Sequence, residues 1–377
     1  MKKILLFARD PGGANTVIPL FEPLKQRGYK VVVFGKDVAM TRFNQNGIHA
    51  LPIAEEIKEI SPKEIKGFLL IQKPDFIITG TSADDMTEKY LWSSAMIMDI
   101  PSFAILDQWV NYGIRFSKWG VSNVDKYKKN PQHEYLPSKI LVMDELAKSE
   151  AILAGLPVDR ILVSGQPYFE YLKNREFDTH ALEKIRKKYR LSHSNYVVTY
   201  ASEPIRKIYG DAREHFGYDE ITTFCSLHEA LSDIEDVKKN FKISLIIKLH
   251  PKEDESYYDG LINKLKSDNI KVYLDRDSCS QDLIKISDLV CGMSSMFLLE
   301  SYILGKPTIS IQIGLKGDNP FVLDRIGLMR SILDQGTLNF RIKSAINGGR
   351  EKMAEFKLIK DPVKRVIDYM EQSLCQN

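Results

Sequence analysis

Short apolar runs alternate with stretches of helical periodicity along most of the chain, and that alternation predicts its fold class. Ile4 to Ala8 leads into Asp10-Pro11-Gly12-Gly13, read as a turn, then an amphipathic stretch from Thr16 to Gln26, then Val31 to Phe34. This is a β-loop-α-β unit. Further strands are expected at Phe76 to Thr79, Phe103 to Leu106, Ile140 to Met143 and Ile161 to Ser164, with helices at Pro62 to Ile71, Ala83 to Met98 and Leu146 to Ala154. Such an order favours a parallel sheet covered on both faces. After Gln166-Pro167-Tyr168 the composition turns polar through Asn174 to Asn195, and a second alternating series begins. Its strands are Tyr196 to Ala201, Ile243 to Leu249, Val272 to Leu274, Leu289 to Cys291 and Thr308 to Ile311. Its helices are Glu220 to Val237, Tyr257 to Ser267, Ser280 to Ile286 and Ser295 to Leu304. The pattern predicts two doubly wound α/β domains, residues 1–175 and 176–359, joined by a linker near residues 175 to 195. A last amphipathic helix, Val363 to Ser373 within residues 360–377, is expected to cross back onto the first domain.

Length and composition narrow the function classes. The 377 residues are 44% hydrophobic and 27% charged, close to globular averages. A formal charge of +3 implies no nucleic-acid partner. Two basic runs, Lys184 to Arg190 in the expected linker and Lys126 to Lys129 in an expected loop near Trp119, are either solvated faces or contacts for anionic lipid. Lipid contact contributes roughly 1 kcal/mol per basic residue. Cys225, Cys279, Cys291 and Cys375 lack metal-knuckle or disulfide spacing, which fits a reducing compartment. The apolar run after Met1-Lys2-Lys3 imitates a signal peptide but ends at Arg9-Asp10, so it reads as a buried first strand. No apolar stretch approaches the roughly 18–20 residues that span a bilayer. A cytoplasmic protein is expected, with at most peripheral contact at the inner face of the membrane.

Ligands of open parallel sheets bind beyond the carboxyl ends of the strands. After the first strand, Gly12 and Gly13 would let backbone approach a ligand while Asn15 or Thr16 caps the next helix; a plain tight turn is the alternative. Asp10 there is the first candidate for a catalytic base and Asp107 the second. Asp107 opens a loop containing Trp109 and Arg115, where an aromatic face would pack against a sugar and a guanidinium would hold an anion. Interdomain packing is the alternative for Trp109, and helix capping for Asp10. In the second domain, Ser202 and Arg206 follow one strand, Lys248 and His250 follow another, and Ser294-Ser295 open a helix that carries Glu300. Serine hydroxyls and free N–H groups at a helix start suit a diphosphate, and Glu300 would accept hydrogen bonds from ribose.

These residues carry a resemblance. Glu300-Ser301-Tyr302-Ile303-Leu304-Gly305-Lys306-Pro307 resembles the Glu-x4-Gly-x-Pro segment of GT-B-fold glycosyltransferases. Ser294-Ser295, Ser287-Asp288-Leu289-Val290 and Lys248-x-His250-Pro251 are similar to segments of CDP-glycerol glycerophosphotransferases and UDP-N-acetylglucosamine 2-epimerases. The likeness is closest from about residue 196 to 312. In the first domain Gly165-Gln166-Pro167 is similar to the Gly-Asn-Pro segment before the interdomain linker. The resemblance implies two Rossmann-type domains facing a central cleft, acceptor bound by the first and nucleotide donor by the second. It further implies a metal-independent glycosyltransferase with no cofactor, building a cell-surface glycan or glycoconjugate from a nucleotide-activated sugar. The epimerases have paired glutamates where this chain has Leu299-Glu300, and two glycines where it has Ser295-Met296. A CDP-alcohol phosphotransferase, a UDP-sugar 2-epimerase and a non-enzymatic nucleotide-sugar-binding scaffold are the alternatives.

Overall fold

The computed structural model describes all residues except 211–215, 236–241, 266, 268, 350–352 and 377. The chain forms two compact units, Met1–Tyr171 with Lys357–Asn377, and Leu172–Phe356. Unit 1 holds a seven-stranded sheet built from β1 (Lys3–Ala8), β2 (Lys30–Gly35), β3 (Leu51–Pro52), β4 (Phe76–Thr79), β5 (Ser102–Ile105), β6 (Lys139–Val142) and β7 (Ile161–Val163). The order is β3-β2-β1-β4-β5-β6-β7, and every pairing is parallel. Unit 2 holds β8 (Tyr196–Ala201), β9 (Ile243–Lys248), β10 (Ile270–Asp275), β11 (Leu289–Gly292) and β12 (Thr308–Ser310). Here the order is β10-β9-β8-β11-β12, again parallel.

Strand periodicity explains why the runs are apolar throughout. In β1, Ile4, Leu6 and Ala8 point into one core layer, which also takes Val366, Ile367 and Met370 of the last helix, Pro362–Gln376. Leu5 and Phe7 point the other way, against Ile65, Phe68 and Leu91. Both faces are buried, so no polar alternation survives.

Three expectations change. The stretch from Asp10 to Gly13 is no turn: the helix Pro11–Val17 begins there, with Pro11 at its first position and Asp10 rather than Asn15 or Thr16 at its N-cap position. The expected linker contains the helix Thr179–Lys188, which belongs to unit 2; its stripe of Leu182 and Ile185, continued by Tyr189, packs against Val197 and Leu283. Its many charged positions mask the helical period. Lys126 to Lys129 lie in the helix Val124–Lys129, not a loop. Val237, the expected end of one helix, lies outside the described residues. Among the described residues no helix is long and apolar enough to cross a membrane.

Candidate functional site

Each sheet has one place where strand order reverses. It lies between β1 and β4 in unit 1 and between β8 and β11 in unit 2, and the loops leaving those strands splay apart there.

At the unit 1 switch point the structure brings Asp10, Gly12, Asp107 and Arg115 together. A Cβ on Gly12 would sit 1.9 Å from Asp107 Oδ2, and one on Gly80 would sit 2.4 Å from Gly13 Cα. The two expected ligand glycines therefore admit the chain's own groups: Gly12 the Asp107 carboxylate, Gly13 the backbone after β4. Arg115 is 3% exposed. It donates from Nη1 to Thr81 O and Thr81 Oγ1, both at 2.8 Å, and pairs with Asp107 Oδ1 at 2.9 Å. Its place is thus beneath Asp107, not on an acceptor. Trp109 is buried as well, donating to Asp144 Oδ2 at 2.9 Å and stacking on Phe169 at 5.7 Å, so its indole serves packing. Asn15 lies within the helix, partly exposed.

Asp10 stands apart from these buried groups. Its side chain is 39% exposed, it makes no capping hydrogen bond, and Arg9 Nη1 pairs with it at 3.2 Å. Desolvation raises the Asp10 carboxyl above its usual value, and the charge on Asp107 adds to this; Ser82, Arg9 and Arg115 oppose it. Arg9 is steadied by Asp37 at 2.8 Å, and Lys36 pairs with Asp85 in the loop after β4. A carboxylate that is reachable by solvent and shifted upward is suited to take and return a proton. Sequence reasoning missed Arg9, Ser82, Asp85 and Glu88. Their position just past β1 and β4 was the available signal.

The unit 2 switch point is filled by the chain itself. Ser294 N and Ser295 N donate to Glu203 Oε1 at 2.6 and 2.9 Å, and Ser294 Oγ donates to Glu203 Oε2 at 3.0 Å. The N–H groups expected to be free at the start of the helix Met296–Ile303 are therefore satisfied by an internal carboxylate. Burial raises the Glu203 carboxyl, with the donors of Ser294 and Ser295 pulling against it. Ser295 Oγ is shielded and has no hydrogen-bond partner. Ser202 is buried, its hydroxyl bonded to Glu253 Oε1 at 2.5 Å and to the Tyr258 hydroxyl at 2.6 Å, so it faces the core rather than a ligand.

Other expected donor residues are also engaged within unit 2. Lys248 Nζ donates to Arg276 O and Ser278 O, both at 2.7 Å, and pairs with Asp275 at 3.0 Å; it ties loops together. Glu300 is 7% exposed and accepts from Gln281 Nε2 at 2.7 Å. His250 Nδ1 accepts from Lys252 N at 3.1 Å, which leaves Nε2 as the protonated nitrogen of the neutral ring. Burial lowers the His250 pKa to about 4. Arg206 is exposed, 3.9 Å from Asp219 and over the Tyr257 ring. Among the described residues, no three His, Cys, Asp or Glu side chains group so as to hold a metal ion.

No protein-family model matches the chain, and a comparison with curated proteins finds no match. Solved structures do match. A UDP-N-acetylglucosamine 2-epimerase described as putative, from Listeria monocytogenes, aligns over 100% of this chain and 98% of its own with a TM-score of 0.69 at 14% identity. The UDP-GlcNAc 2-epimerase of Neisseria meningitidis bound to UDP-GlcNAc aligns over 100% of both chains, TM-score 0.65, 15% identity. The chain has a GT-B-like fold. A third similar structure, Anabaena Alr3699/HepE in complex with UDP and glucose, aligns over 100% of both chains, TM-score 0.58, 15% identity.

Proposed function

We propose that this protein is an enzyme acting on a UDP-sugar, and that its reaction is of the 2-epimerase type, in which a proton leaves C2 as the C1–O bond to UDP breaks, and proton and UDP then add back across the resulting C1–C2 double bond. The observation that carries the reading is the pair of carboxylates at the unit 1 switch point. Removing and returning a proton at carbon calls for a group that alternates between base and acid. Asp10, part-exposed and raised by desolvation, suits that role, while Asp107 is paired with Arg115 and shapes the field around it. Full-length similarity to structures named as UDP-GlcNAc 2-epimerases supports the substrate class. In this reading unit 2 holds the nucleotide through His250, Arg206 and the Ser294-Ser295 amides once Glu203 has moved off them.

Transfer of the sugar to a glycan acceptor is the second reading. It is favoured by Leu299 and Met296, which depart from the epimerase pattern, and by the HepE structure with UDP and glucose. One experiment separates the two. Incubation with UDP-GlcNAc in D2O is expected to place deuterium at C2 and yield an epimerised sugar, read by mass spectrometry. A glycoside formed only when acceptor is present, with no deuterium at C2, would move the assignment to transfer. Failure of UDP, CDP and GDP compounds alike to bind in calorimetry would overturn both.

A further inference from the structure

Glu88 lies in the first turn of the helix Thr87–Ile97, just past the loop that follows β4. It is wholly shielded from solvent, and neither carboxyl oxygen has a hydrogen-bond partner; nor has the hydroxyl of Thr87 beside it. An ionised carboxylate in such a place carries a penalty of several kcal/mol. The charged groups that act on it are Asp10 and Arg9 from the end of β1, Asp85 from the β4 loop, and Lys89 next along the helix. Both cations are engaged elsewhere. Arg9 bonds Asp10 and Asp37, and Lys89 Nζ donates to Ala83 O and Trp119 O. The helix Pro62–Gln72, packed alongside, places Ile65, Phe68 and Leu69 in the core with Leu91 and Ala95 of the Glu88 helix, and β5 carries no titratable side chain. Burial and two negative neighbours outweigh the opposing pull of Arg9 and of the residue's own backbone N–H, and leave the carboxylic acid as the favoured form.

We infer that Glu88 is a positioning residue which stores a proton beside Asp10, holding the unit 1 switch point to one fewer negative charge and thereby setting when Asp10 can act. The inference goes beyond the proposed reaction and rests on it only in taking Asp10 as the reacting carboxylate. Two carboxyl groups whose surroundings drive them apart divide acid and base roles between them. Burial pushes Glu88 up to about 8, with Asp10 and Asp85 adding to the rise, whereas Asp10 has an open path to water. Loss of the Glu88 proton would set a second charge behind Asp10, so that a proton taken by Asp10 is held more tightly and returned more slowly.

The first test needs no substrate. In the full chain labelled with 13C at aspartate carboxyls, the Asp10 resonance followed by NMR is expected to show its own titration and a second step near pH 8. Glu88→Gln, which cannot ionise, should remove the second step and also remove one protonated-carboxyl infrared band present at pH 7 in glutamate-labelled protein. Absence of the second step in the wild-type protein, or its persistence in Glu88→Gln, would overturn the inference even if Glu88→Gln folds poorly. The second test uses turnover of UDP-GlcNAc. Wild-type kcat should fall in a single step near pH 8 to a lower plateau, and the step should be absent in Glu88→Gln with KM unmoved. An identical pH profile for the two proteins counts against Glu88, whereas no turnover by either protein counts against the UDP-sugar reading and leaves the NMR result standing.

Discussion

The two switch points occupy equivalent places in their sheets, yet they use an acidic side chain in opposite ways. Asp10, beyond β1, stands at the N-cap position of its helix and caps nothing, so its carboxylate remains available to solvent. Glu203, beyond β8, reaches across to the helix after β11 and satisfies the amides of Ser294 and Ser295. In unit 1 the helix start is crowded by the close approach of Gly12 to Asp107 and by the Asp107–Arg115 pair, and Asp10 beside them stays part-exposed. In unit 2 the acid itself closes the helix start. Topology therefore marks where ligands are favoured, and the hydrogen bonds show Glu203 engaged within its unit while Asp10, paired with Arg9, keeps a part-exposed carboxylate.

The sharpest break of this comparison is Asp10→Asn. Turnover is expected to drop by about a thousandfold, within the range for loss of a general acid or base. UDP affinity should stay unchanged, because Asp10 belongs to unit 1. Thermal stability should not fall, since the replaced carboxyl is one that burial disfavours when charged. An Asp10→Asn enzyme with full turnover would remove unit 1 from the chemistry.

Next in size is Lys248→Met, which distinguishes a structural cation from a ligand cation. Asp275 is fully buried and is held by Lys248, Lys188, Ser278 and Tyr189. Burial would raise it, but those partners outweigh burial and keep it well below the usual carboxylate range. Removing one partner of a buried pair should destabilise unit 2 by about 3 kcal/mol, measured by urea unfolding. A variant of unchanged stability that binds UDP tenfold less well would make Lys248 a nucleotide contact after all.

Lys248 also shows where the sequence was legible and where it was not. Strand positions came through because runs such as Tyr196 to Ala201 are buried on both faces and have no other stable use. The candidate positions at strand ends likewise follow from chain order alone. The direction of each side chain does not. Lys248 and His250 sit two residues apart at the end of β9, but the lysine turns to Asp275 from the neighbouring strand, a partner 27 positions away. Arg115 and Trp109 read as a ligand loop because they are polar and aromatic, while their partners Asp107, Thr81, Asp144 and Phe169 are scattered through the chain. Glu203 was passed over for the opposite reason. Its neighbours Ser202 and Arg206 looked like anion contacts, and an acid among them carried no apparent function until its 91-residue reach to Ser294 was seen.

Glu203→Ala tests the closed side directly. The Ser294 and Ser295 amides lose their internal acceptor, so a nucleotide phosphate no longer competes with it. UDP should bind about tenfold more tightly by calorimetry, while unfolding stability declines by about 1–3 kcal/mol from the lost charge-assisted hydrogen bonds. Equal or weaker UDP binding would mean that the phosphate is held elsewhere in the protein and that Glu203 is structural only.

The smallest expected effect concerns pH. Burial raises Glu253 to about 7, while its bonds from Ser202 and His250 N oppose the shift. A folded-state value above the unfolded one means that the folded form binds the proton more tightly. Its contribution to stability is complete below the ordinary glutamate range, near pH 4.5, and is lost as pH rises through 7. Glu203 and Glu220, raised in the same network, act in the same direction. Glu253→Gln keeps an acceptor for Ser202 but cannot ionise, so the decline in Tm between pH 5 and 8 should shrink by about 2–4 °C, the shift that roughly 1 kcal/mol produces in a unit of this size. A decline of undiminished size in Glu253→Gln would remove Glu253 as its source and leave Glu203, Glu220 and Glu88, which Glu203→Gln, Glu220→Gln and Glu88→Gln would test in turn.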